Sequence, residues 1–321
     1  MLTAKTPPPR LPLPGGSPGA EVSSGVPVLS ALPLNLLPGP VLADGAWGTQ
    51  LQALGLGAGE CPDAWNLTQA GRVETVARAY VEAGSQIILT NTFGANRLRL
   101  AAHGLGDRTL EINRAGARIS RRAAGSCARV FASIGPTGKL LAMGETDEAE
   151  LHAVFKEQAG ALAAEGVDAL LLETFADLNE IRAAITAAKA TGLPVVASLV
   201  FDSGPARDRT MMGASPEQAA AAVIAAGADA VGANCGNGID GFIPICRRLR
   251  TATDRPLWLK ANAGLPEMVD GRAVYRTSPE CFAARTLDLV RAGATFVGGC
   301  CGTSPAFIAA IRQALQTARS G

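Results

Sequence analysis

Eight short apolar runs, each followed by a longer stretch with helical spacing, occupy the chain from residue 41 onwards. The runs lie at 41–46, 85–93, 129–138, 168–175, 194–201, 229–236, 256–264 and 295–302. Nearly continuous apolar strands of this kind are typical of a parallel sheet that is covered by helices. The intervening segments, such as LNEIRAAITAAKA, are rich in alanine and place apolar residues at helical spacing. The pattern predicts strands and helices in alternation.

A glycine motif recurs before every second run. It reads EAGSQII, AEGVDAL, AAGADAV and RAGATFV, and its glycine can take the left-handed conformation that ends a helix. Eight strand–helix units in about 280 residues fit a closed barrel. The G-x-G-x-x-G fingerprint of an open doubly wound sheet is absent after the first run, where DGAWGTQL stands. We therefore predict one α/β domain, a (β/α)8 TIM barrel, over residues 41–321.

The first 40 residues have a different composition from the rest of the chain. They hold ten of the 20 prolines, in stretches such as TPPPRLPLPGGSPG. Because proline removes a backbone donor and fixes φ, residues 1–40 are predicted to form a disordered Pro/Gly-rich leader. The segment lacks the basic start and uninterrupted apolar centre of a secretory signal.

Charge and cysteine content limit the functions open to the chain. The 29 basic and 28 acidic residues nearly cancel, which argues against nucleic-acid or membrane-surface partners. No apolar stretch reaches the roughly 20 residues that span a bilayer. Seven cysteines, an odd number, indicate free thiols in a reducing compartment and not a disulfide framework. We expect a cytoplasmic protein.

Polar residues collect at the carboxyl ends of the predicted strands, where a TIM barrel carries its chemistry. They are Asp44, Asn91, Thr92, Glu173, Thr174, Asn234, Cys235, Asn262, Cys300 and Cys301. The histidines, His103 and His152, and the remaining four cysteines fall in helical or loop segments. A barrel would thus gather acidic, amide and thiol groups at one rim, without the histidine of a hydrolase triad.

Three of the rim residues, Cys235, Cys300 and Cys301, are the thiol ligands expected of a zinc site. Catalytic zinc is usually held by three protein ligands with a fourth position open, and thiolates suit it. Cys235 precedes Cys300 by 65 residues, but the sixth and eighth strands would bring both to the same rim. Neighbouring side chains on a regular strand face opposite ways, so the flanking glycines would have to end or bulge the strand.

Other interpretations of these residues stay open at this point. Cys235 alone could be a small buried apolar residue, and the adjacent pair could form a strained disulfide or part of a phosphate cradle. Asp44 and Glu173 could cap helices or pair with arginine. Lys260, on the same strand face as Asn262, could form a Schiff base in a lyase.

The chain resembles the homocysteine S-methyltransferase family from about residue 41 to residue 318. The strongest elements are LADGAWGTQL, LTNTFGAN, LLLETFADL, GANCGNG and GGCCGTSP. The stretches NAGLPE and NLTQ are more similar to the homocysteine-binding module of cobalamin-dependent methionine synthase than to the betaine enzyme.

The resemblance implies that the three rim cysteines bind Zn²⁺ and that Asp44 and Glu173 hold the substrate amino group or line its pocket. Asn91, Thr92, Asn234 and Asn262 are the further rim residues expected to contact the substrate. The implied reaction is attack of a zinc-bound homocysteine thiolate on an activated methyl donor, which gives methionine.

The resemblance leaves the methyl donor open. It is either a small molecule, such as S-methylmethionine or betaine, or a separate methylated corrinoid protein, since 321 residues are expected to leave no room for further domains. The polar stretch 201–213 would contact such a partner or form a lid. An alternative hypothesis is a non-catalytic homocysteine- or zinc-binding subunit of a corrinoid-dependent methyltransferase system.

Overall fold

The computed structural model describes residues 34, 39–269 and 272–320. Of the predicted leader, only Leu34, Gly39 and Pro40 are therefore described, and the prediction of disorder lies outside the described residues. Leu34 is 4% exposed and packs against the apolar interior of the barrel. The division between leader and barrel at residue 40 stays a prediction.

The strands follow the predicted runs closely. In chain order they are β1 Val41–Leu42, β2 Ile87–Leu89, β3 Arg129–Ile134, β4 Ala169–Phe175, β5 Val195–Leu199, β6 Ala230–Cys235, β7 Leu257–Ala261, β8 Glu267–Val269, β9 Arg272–Val274 and β10 Phe296–Gly299. Strands β8 and β9 form a separate antiparallel hairpin. The other eight are parallel and pair in the order β1-β10-β7-β6-β5-β4-β3-β2.

The two ends of this sheet, β1 and β2, come together and nearly close the barrel. An isolated parallel bridge joins Ala43 to Ile87, and the Gln86 amide donates to the Leu42 carbonyl at 2.7 Å. Each barrel strand otherwise pairs with its neighbour along the chain, except that the hairpin lies between β7 and β10. The predicted (β/α)8 TIM barrel is confirmed.

Helices surround the barrel. They are α1 Gly48–Ala53, α2 Trp65–Thr68, α3 Ala70–Ala83, α4 Arg97–Ala101, α5 Thr109–Ala124, α6 Glu148–Ala163, α7 Leu178–Lys189, α8 Pro216–Ala225, α9 Ile239–Ala252, α10 Pro279–Arg291 and α11 Pro305–Ser320. Asp147 and Asp177 cap the starts of α6 and α7 with their side chains. The glycines of the repeated motif have positive φ, as predicted: Gly84, Gly166, Gly227 and Gly293. Within the described residues, no helix is long and apolar enough to cross a membrane.

The barrel interior is apolar in its lower part, toward the amino ends of the strands, and polar at the carboxyl ends. Large side chains fill the lower part, where Phe131 stacks on Trp258 with ring centroids 5.7 Å apart and Phe296 packs beside them. A second apolar layer lies between the strands and the helices. The lower barrel is therefore a packed core, and the candidate site residues lie at the upper end.

Candidate metal centre and substrate pocket

Three cysteine sulfurs meet at the carboxyl end of the barrel. The Sγ atom of Cys235 lies 3.3 Å from that of Cys300 and 3.9 Å from that of Cys301. All three sulfurs lie within 4.8 Å of one another and are partly buried. Zinc–sulfur bonds of about 2.3 Å place tetrahedral ligands about 3.8 Å apart, so this spacing and these soft donors fit one tetrahedral metal ion. The cluster can bind a metal.

The backbone explains how adjacent cysteines can share a site. Strand β10 ends at Gly299, so Cys300 and Cys301 lie in the turn that follows and not in a regular strand. The Cys300 amide donates to the Ala261 carbonyl at 2.7 Å, and the Cys301 carbonyl accepts from the Ala263 amide at 2.9 Å. These bonds fix the turn to the end of β7, which lies between the two cysteine-bearing strands.

Cys235 ends β6 in a left-handed conformation, with φ of 63°. This conformation is uncommon for a residue other than glycine and costs of order 1 kcal/mol or more, so the surrounding structure must hold it in place. The Asn262 amide donates to the Cys235 carbonyl at 3.4 Å. The strained residue is one of the three thiols, which indicates a position selected for the sulfur and not for the backbone.

Hydrogen bonds among the three sulfurs shift the pKa values of the thiols in opposite directions. Bonds from Cys235 and then Cys300 lower the pKa of Cys301 to about 3. The same hydrogen bonds raise the pKa of Cys235. The three thiols therefore share their protons unequally, and Cys301 is the one whose thiolate form the cluster favours.

Glu173, near the end of β4, is a buried carboxyl group beside the thiols. Burial raises its pKa to about 7, the Lys260 ammonium opposes that rise, and the charge of Cys300 adds to it. The Ser133 hydroxyl donates a hydrogen bond to Glu173 Oε1. A carboxyl group that is close to half ionised at neutral pH would gain from a cationic ligand.

Asp44 lies deeper than the rim and is fully buried. Its Oδ1 accepts from Lys260 Nζ at 2.5 Å, and its Oδ2 accepts from the Leu89 amide and from Trp47 Nε1, both at 2.8 Å. Both carboxylate oxygens are thus bonded to protein groups. The structure places the predicted rim residue one layer below the thiols, within an ion pair.

Lys260 does not present a free amine. Its side chain is 2% exposed, and although burial works against its charge, the negative charges of Asp44, Glu173 and Cys300, with the hydrogen bond to Asp44, together raise the pKa of Lys260. A Schiff base requires a neutral and accessible amine. The lyase hypothesis therefore disagrees with the structure.

Two of the predicted substrate contacts, Asn91 and Thr92, are engaged with neighbouring loops. Asn91 Nδ2 donates to the Pro62 carbonyl at 2.8 Å and to Asn66 Oδ1 at 3.0 Å. Thr92 Oγ1 donates to the Ser133 carbonyl at 2.7 Å. The Asn91 bonds attach the long segment between β1 and β2 to the end of β2, and the Thr92 bond attaches the end of β2 to β3.

The two amides on the later strands differ from each other. Asn234 Oδ1 accepts from the Thr174 amide at 2.8 Å and from Ser198 Oγ at 2.7 Å, so it holds the ends of β4, β5 and β6 together. Asn262 Nδ2 donates to the Gly236 carbonyl at 2.8 Å. Its Oδ1 is buried and has no hydrogen-bond partner among the described residues. Asn262 is the amide that retains an acceptor for a ligand.

Tyr275 is a site residue that the sequence did not reveal. It follows the β8–β9 hairpin, and its ring lies so close to Gly302 that a Cβ atom there would overlap it. Burial, followed by the charges of Cys301 and the other two thiols, raises the pKa of Tyr275 to about 12. A neutral phenol thus lies beside the cluster. The glycine after the cysteine pair was a signal of close approach, but nothing local identified the approaching residue.

A groove of about 890 Å³ lies beside the site, between the loops that follow β3, β4 and β5. Leu141, Leu178 and Met212 are among its lining residues. Exposed apolar side chains continue from this groove around the barrel mouth: Leu140, Met143, Met211, Leu265 and Met268. The loops at the carboxyl end of the barrel therefore carry exposed apolar side chains among their polar residues.

The fold and the cluster define a TIM barrel with three thiols at the carboxyl end of its strands that can bind a metal. A sequence profile described as homocysteine S-methyltransferase matches residues 41–315, and the chain belongs to this family. Over 294 residues it is 33% identical to methionine synthase of Mycobacterium tuberculosis, and the aligned region covers 86% of this chain and 24% of that protein. Methionine synthase of Mycobacterium leprae is 30% identical over 300 residues, 88% of this chain and 25% of that protein. The chain thus spans about a quarter of the length of these relatives.

Among solved structures, the fold is similar to that of the homocysteine methyltransferase MmuM from Escherichia coli. Its metallated form gives a TM-score of 0.71 at 23% identity, covering 85% of this chain and 95% of that one. The apo form gives a TM-score of 0.67 at 22% identity, with the same coverage. At this level of identity the likeness supports the fold alone.

Proposed function

We propose that this chain is a zinc-dependent homocysteine S-methyltransferase, in which the homocysteine sulfur attacks an activated methyl group to give methionine. The observation that carries the proposal is the convergence of the three sulfurs, with Cys235 3.3 Å from Cys300 and 3.9 Å from Cys301, in a chain of this family.

Cys235, Cys300 and Cys301 would hold the zinc ion and leave its fourth position for the substrate. When bound, Zn²⁺ lowers the pKa of a coordinated thiol from about 8.5, so that the sulfur is a thiolate at neutral pH. The partly buried cluster keeps the thiolates away from bulk water. The Tyr275 ring, packed against Gly302, covers one side of it.

Glu173 and Asn262 would position the substrate. The buried Glu173 carboxyl group is the acidic partner for the substrate ammonium, and that contact would favour its ionised form. Asn262 Oδ1 is the free acceptor for a second hydrogen bond to the same end of the substrate. Asp44 would act from below, through Lys260, and not by direct contact.

The transfer is a displacement at carbon. A bond forms between the homocysteine sulfur and the methyl carbon as the bond between that carbon and the donor breaks, and the donor keeps the electron pair. Holding sulfur and methyl group in line is the main task left to the protein. The thiol proton leaves when the sulfur binds, before transfer.

The donor would approach across the barrel mouth, either as a small methylated molecule or on a separate corrinoid protein. Exposed Met211 and Met212, on the loop 201–213, give that loop a surface suited to a protein partner. Arg248 of α9 forms ion pairs with Asp208 in the loop and with Glu217 of α8. These ties favour a fixed docking surface over a mobile lid.

A donor panel with metal analysis tests the proposal. The purified chain is expected to hold about one zinc and to methylate homocysteine with S-methylmethionine, betaine or methylcobalamin. Cys301→Ser should lose both zinc and transfer, whereas Cys127→Ser, at an exposed thiol outside the cluster, should keep both. Full transfer by Cys301→Ser would contradict the proposal. Zinc and homocysteine binding without transfer from any donor would favour the non-catalytic subunit.

A further inference from the structure

The strand that carries Lys260 lies beside both strands that lead into the thiol cluster. Strand β7 runs between β6 and β10, the two strands that lead into the cysteines. In register, Lys260 pairs with Asn234, one residue before Cys235, and with Gly298, two residues before Cys300. Its ammonium group lies 5.8 Å from the Trp258 ring, which belongs to the apolar interior. The lysine therefore occupies the layer between the apolar core and the sulfurs.

Few positive charges are available to this part of the barrel. Among the residues that the structure describes, the buried basic side chains are Arg129 and Lys260. Arg129 is the first residue of β3, at the opposite end of the barrel from the thiols. The site end carries Asp44, Glu173 and three cysteines. Uncompensated negative charge in a water-poor interior is costly, so the position of this one lysine matters.

The Lys260–Asp44 pair has a direction. The carboxylate end is bonded to Leu89 and Trp47, on the β1 and β2 side of the barrel. Lys260 extends from β7, between the two strands that lead into the cysteines, and its ammonium group meets Asp44 Oδ1 at 2.5 Å. Its effect on Glu173 agrees with this orientation, since Lys260 lowers the pKa of that group more strongly than Asp44 raises it.

We propose that the Lys260–Asp44 pair is a buried dipole with its positive end toward the three cysteines, and that Lys260 is a positioning residue that strengthens their metal binding. The inference rests on the proposed metal centre. Asp44 holds the ammonium group at a fixed place, and the ammonium offsets the negative charge of the thiolates and of Glu173. The pair thereby contributes to the site without contacting the substrate.

The test compares Asp44→Asn with the double variant Asp44→Asn/Lys260→Met. Both lack the carboxylate charge, and asparagine keeps an acceptor for the Leu89 amide, so the two differ in the lysine alone. Zinc affinity is measured on the metal-free chain by competition with a chromophoric chelator at one pH. Zinc should bind about tenfold or more weakly to the double variant than to Asp44→Asn. Asp44→Asn should bind it with an affinity between those of the double variant and the unchanged chain, because the ammonium group remains but loses the carboxylate that fixes it.

Lys189→Met is the matched control, because Lys189 also pairs with an aspartate, Asp229, but at the surface. It should leave zinc affinity unchanged. Equal affinities of Asp44→Asn and the double variant would overturn the role of Lys260 while leaving the metal centre intact. If the double variant fails to fold, Asp44→Asn decides, since zinc binding as tight as that of the unchanged chain contradicts a role for Asp44 in holding the ammonium group. An unchanged chain that takes up no zinc would instead overturn the metal centre itself.

Discussion

Cys235 and Cys300 lie 65 residues apart in the chain, yet their sulfurs are 3.3 Å apart in the fold. The two strands that lead into them, β6 and β10, flank β7, so their ends are neighbours at one rim. Neither sulfur is in a disulfide. Two thiols held this closely at the catalytic end of a barrel are arranged for a shared ligand, and the following predictions test what that arrangement implies.

Removing zinc should destabilise the chain as well as inactivate it. A metal that binds only the folded state stabilises it by about 4 kcal/mol at a thousand times its dissociation constant. We expect a chelator to lower the midpoint of thermal unfolding, and added zinc to restore it. The same treatment of Cys235→Ser should produce no shift. A midpoint unaffected by the chelator in the unchanged chain would count against a folded-state metal site.

Glu173→Gln should stabilise the metal-free chain at pH 8 while weakening homocysteine binding. The folded state raises the pKa of this carboxyl group from 4.5 to about 7, so between these values the folded state binds more protons than the unfolded state. Stability is therefore lost as the pH rises through this window, by about 3 kcal/mol in all. The amide avoids that loss and keeps an acceptor for Ser133.

Urea unfolding at pH 4.5 and pH 8 measures this difference between Glu173→Gln and the unchanged chain. The variant should be more stable at pH 8 by about 2–3 kcal/mol, with little difference at pH 4.5. Its homocysteine dissociation constant at pH 8 should rise about tenfold or more, since a buried charged contact is lost. A variant that binds homocysteine normally would exclude Glu173 as the ammonium partner.

Gly302→Ala should disturb the cluster through Tyr275. The new Cβ would overlap the tyrosine ring, and φ at this position is 81°, in the left-handed region. We expect a loss of about 2 kcal/mol in stability and weaker zinc binding. Gly138→Ala isolates the backbone cost, because φ there is 77° with nothing near the added Cβ.

A second substitution separates the effect of the overlap with the Tyr275 ring from the effect of the backbone conformation at residue 302. If Tyr275 is the obstacle, Gly302→Ala/Tyr275→Ala should recover part of the zinc affinity that Gly302→Ala loses. The same affinity in the single and double variants would place the effect in the backbone alone. Both are read by chelator competition and by urea unfolding.

Arg248→Met should release the loop 201–213. A hydrogen bond from Arg248 lowers the pKa of Glu217 to about 2, and Arg248 also pairs with Asp208 in the loop. The folded-state pKa of Glu217 lies below the usual 4.5. The stabilisation from the Arg248–Glu217 pair is therefore present above pH 4.5 and is lost as the pH falls toward 2. The pair is largely exposed, so its effect on global stability should stay below about 1 kcal/mol.

Limited trypsin digestion measures the release of this loop. At neutral pH, cleavage after Arg207 or Arg209 should be faster in Arg248→Met than in the unchanged chain. Arg285→Met, which breaks ion pairs to Asp240 and Asp288 elsewhere on the surface, should leave the rate unchanged. An unaltered digestion pattern in Arg248→Met would show that other contacts hold the loop.

The sequence predicted the barrel strands well, because each of them is buried on both faces in the same way. Each barrel strand lies within its predicted run, because strands covered on both faces are apolar throughout. The strand ends also revealed the three thiols and Glu173, since topology alone places these ends together. The helix-terminating glycines were readable for a local reason, the left-handed φ that they adopt.

What the sequence did not reveal depends on contacts between distant segments. The Lys260–Asp44 bond joins residues 216 positions apart, on strands that share no direct pairing. Tyr275 reaches the cluster from a hairpin that interrupts the seventh strand–helix connection. Asn91 and Asn234 are polar residues at strand ends, but whether such a residue faces a ligand or a neighbouring loop depends on backbone turns that local sequence does not determine.

The closure of the barrel between β1 and β2 involves side chains as well as backbone. One bridge joins Ala43 to Ile87, and beyond it Asp44 Oδ2 accepts the Leu89 amide at 2.8 Å, in the place of a backbone carbonyl. The same carboxyl group anchors Lys260. One side chain thus contributes both to the closure of the cylinder and to the charge proposed to act at its mouth, so a substitution at that position would alter both.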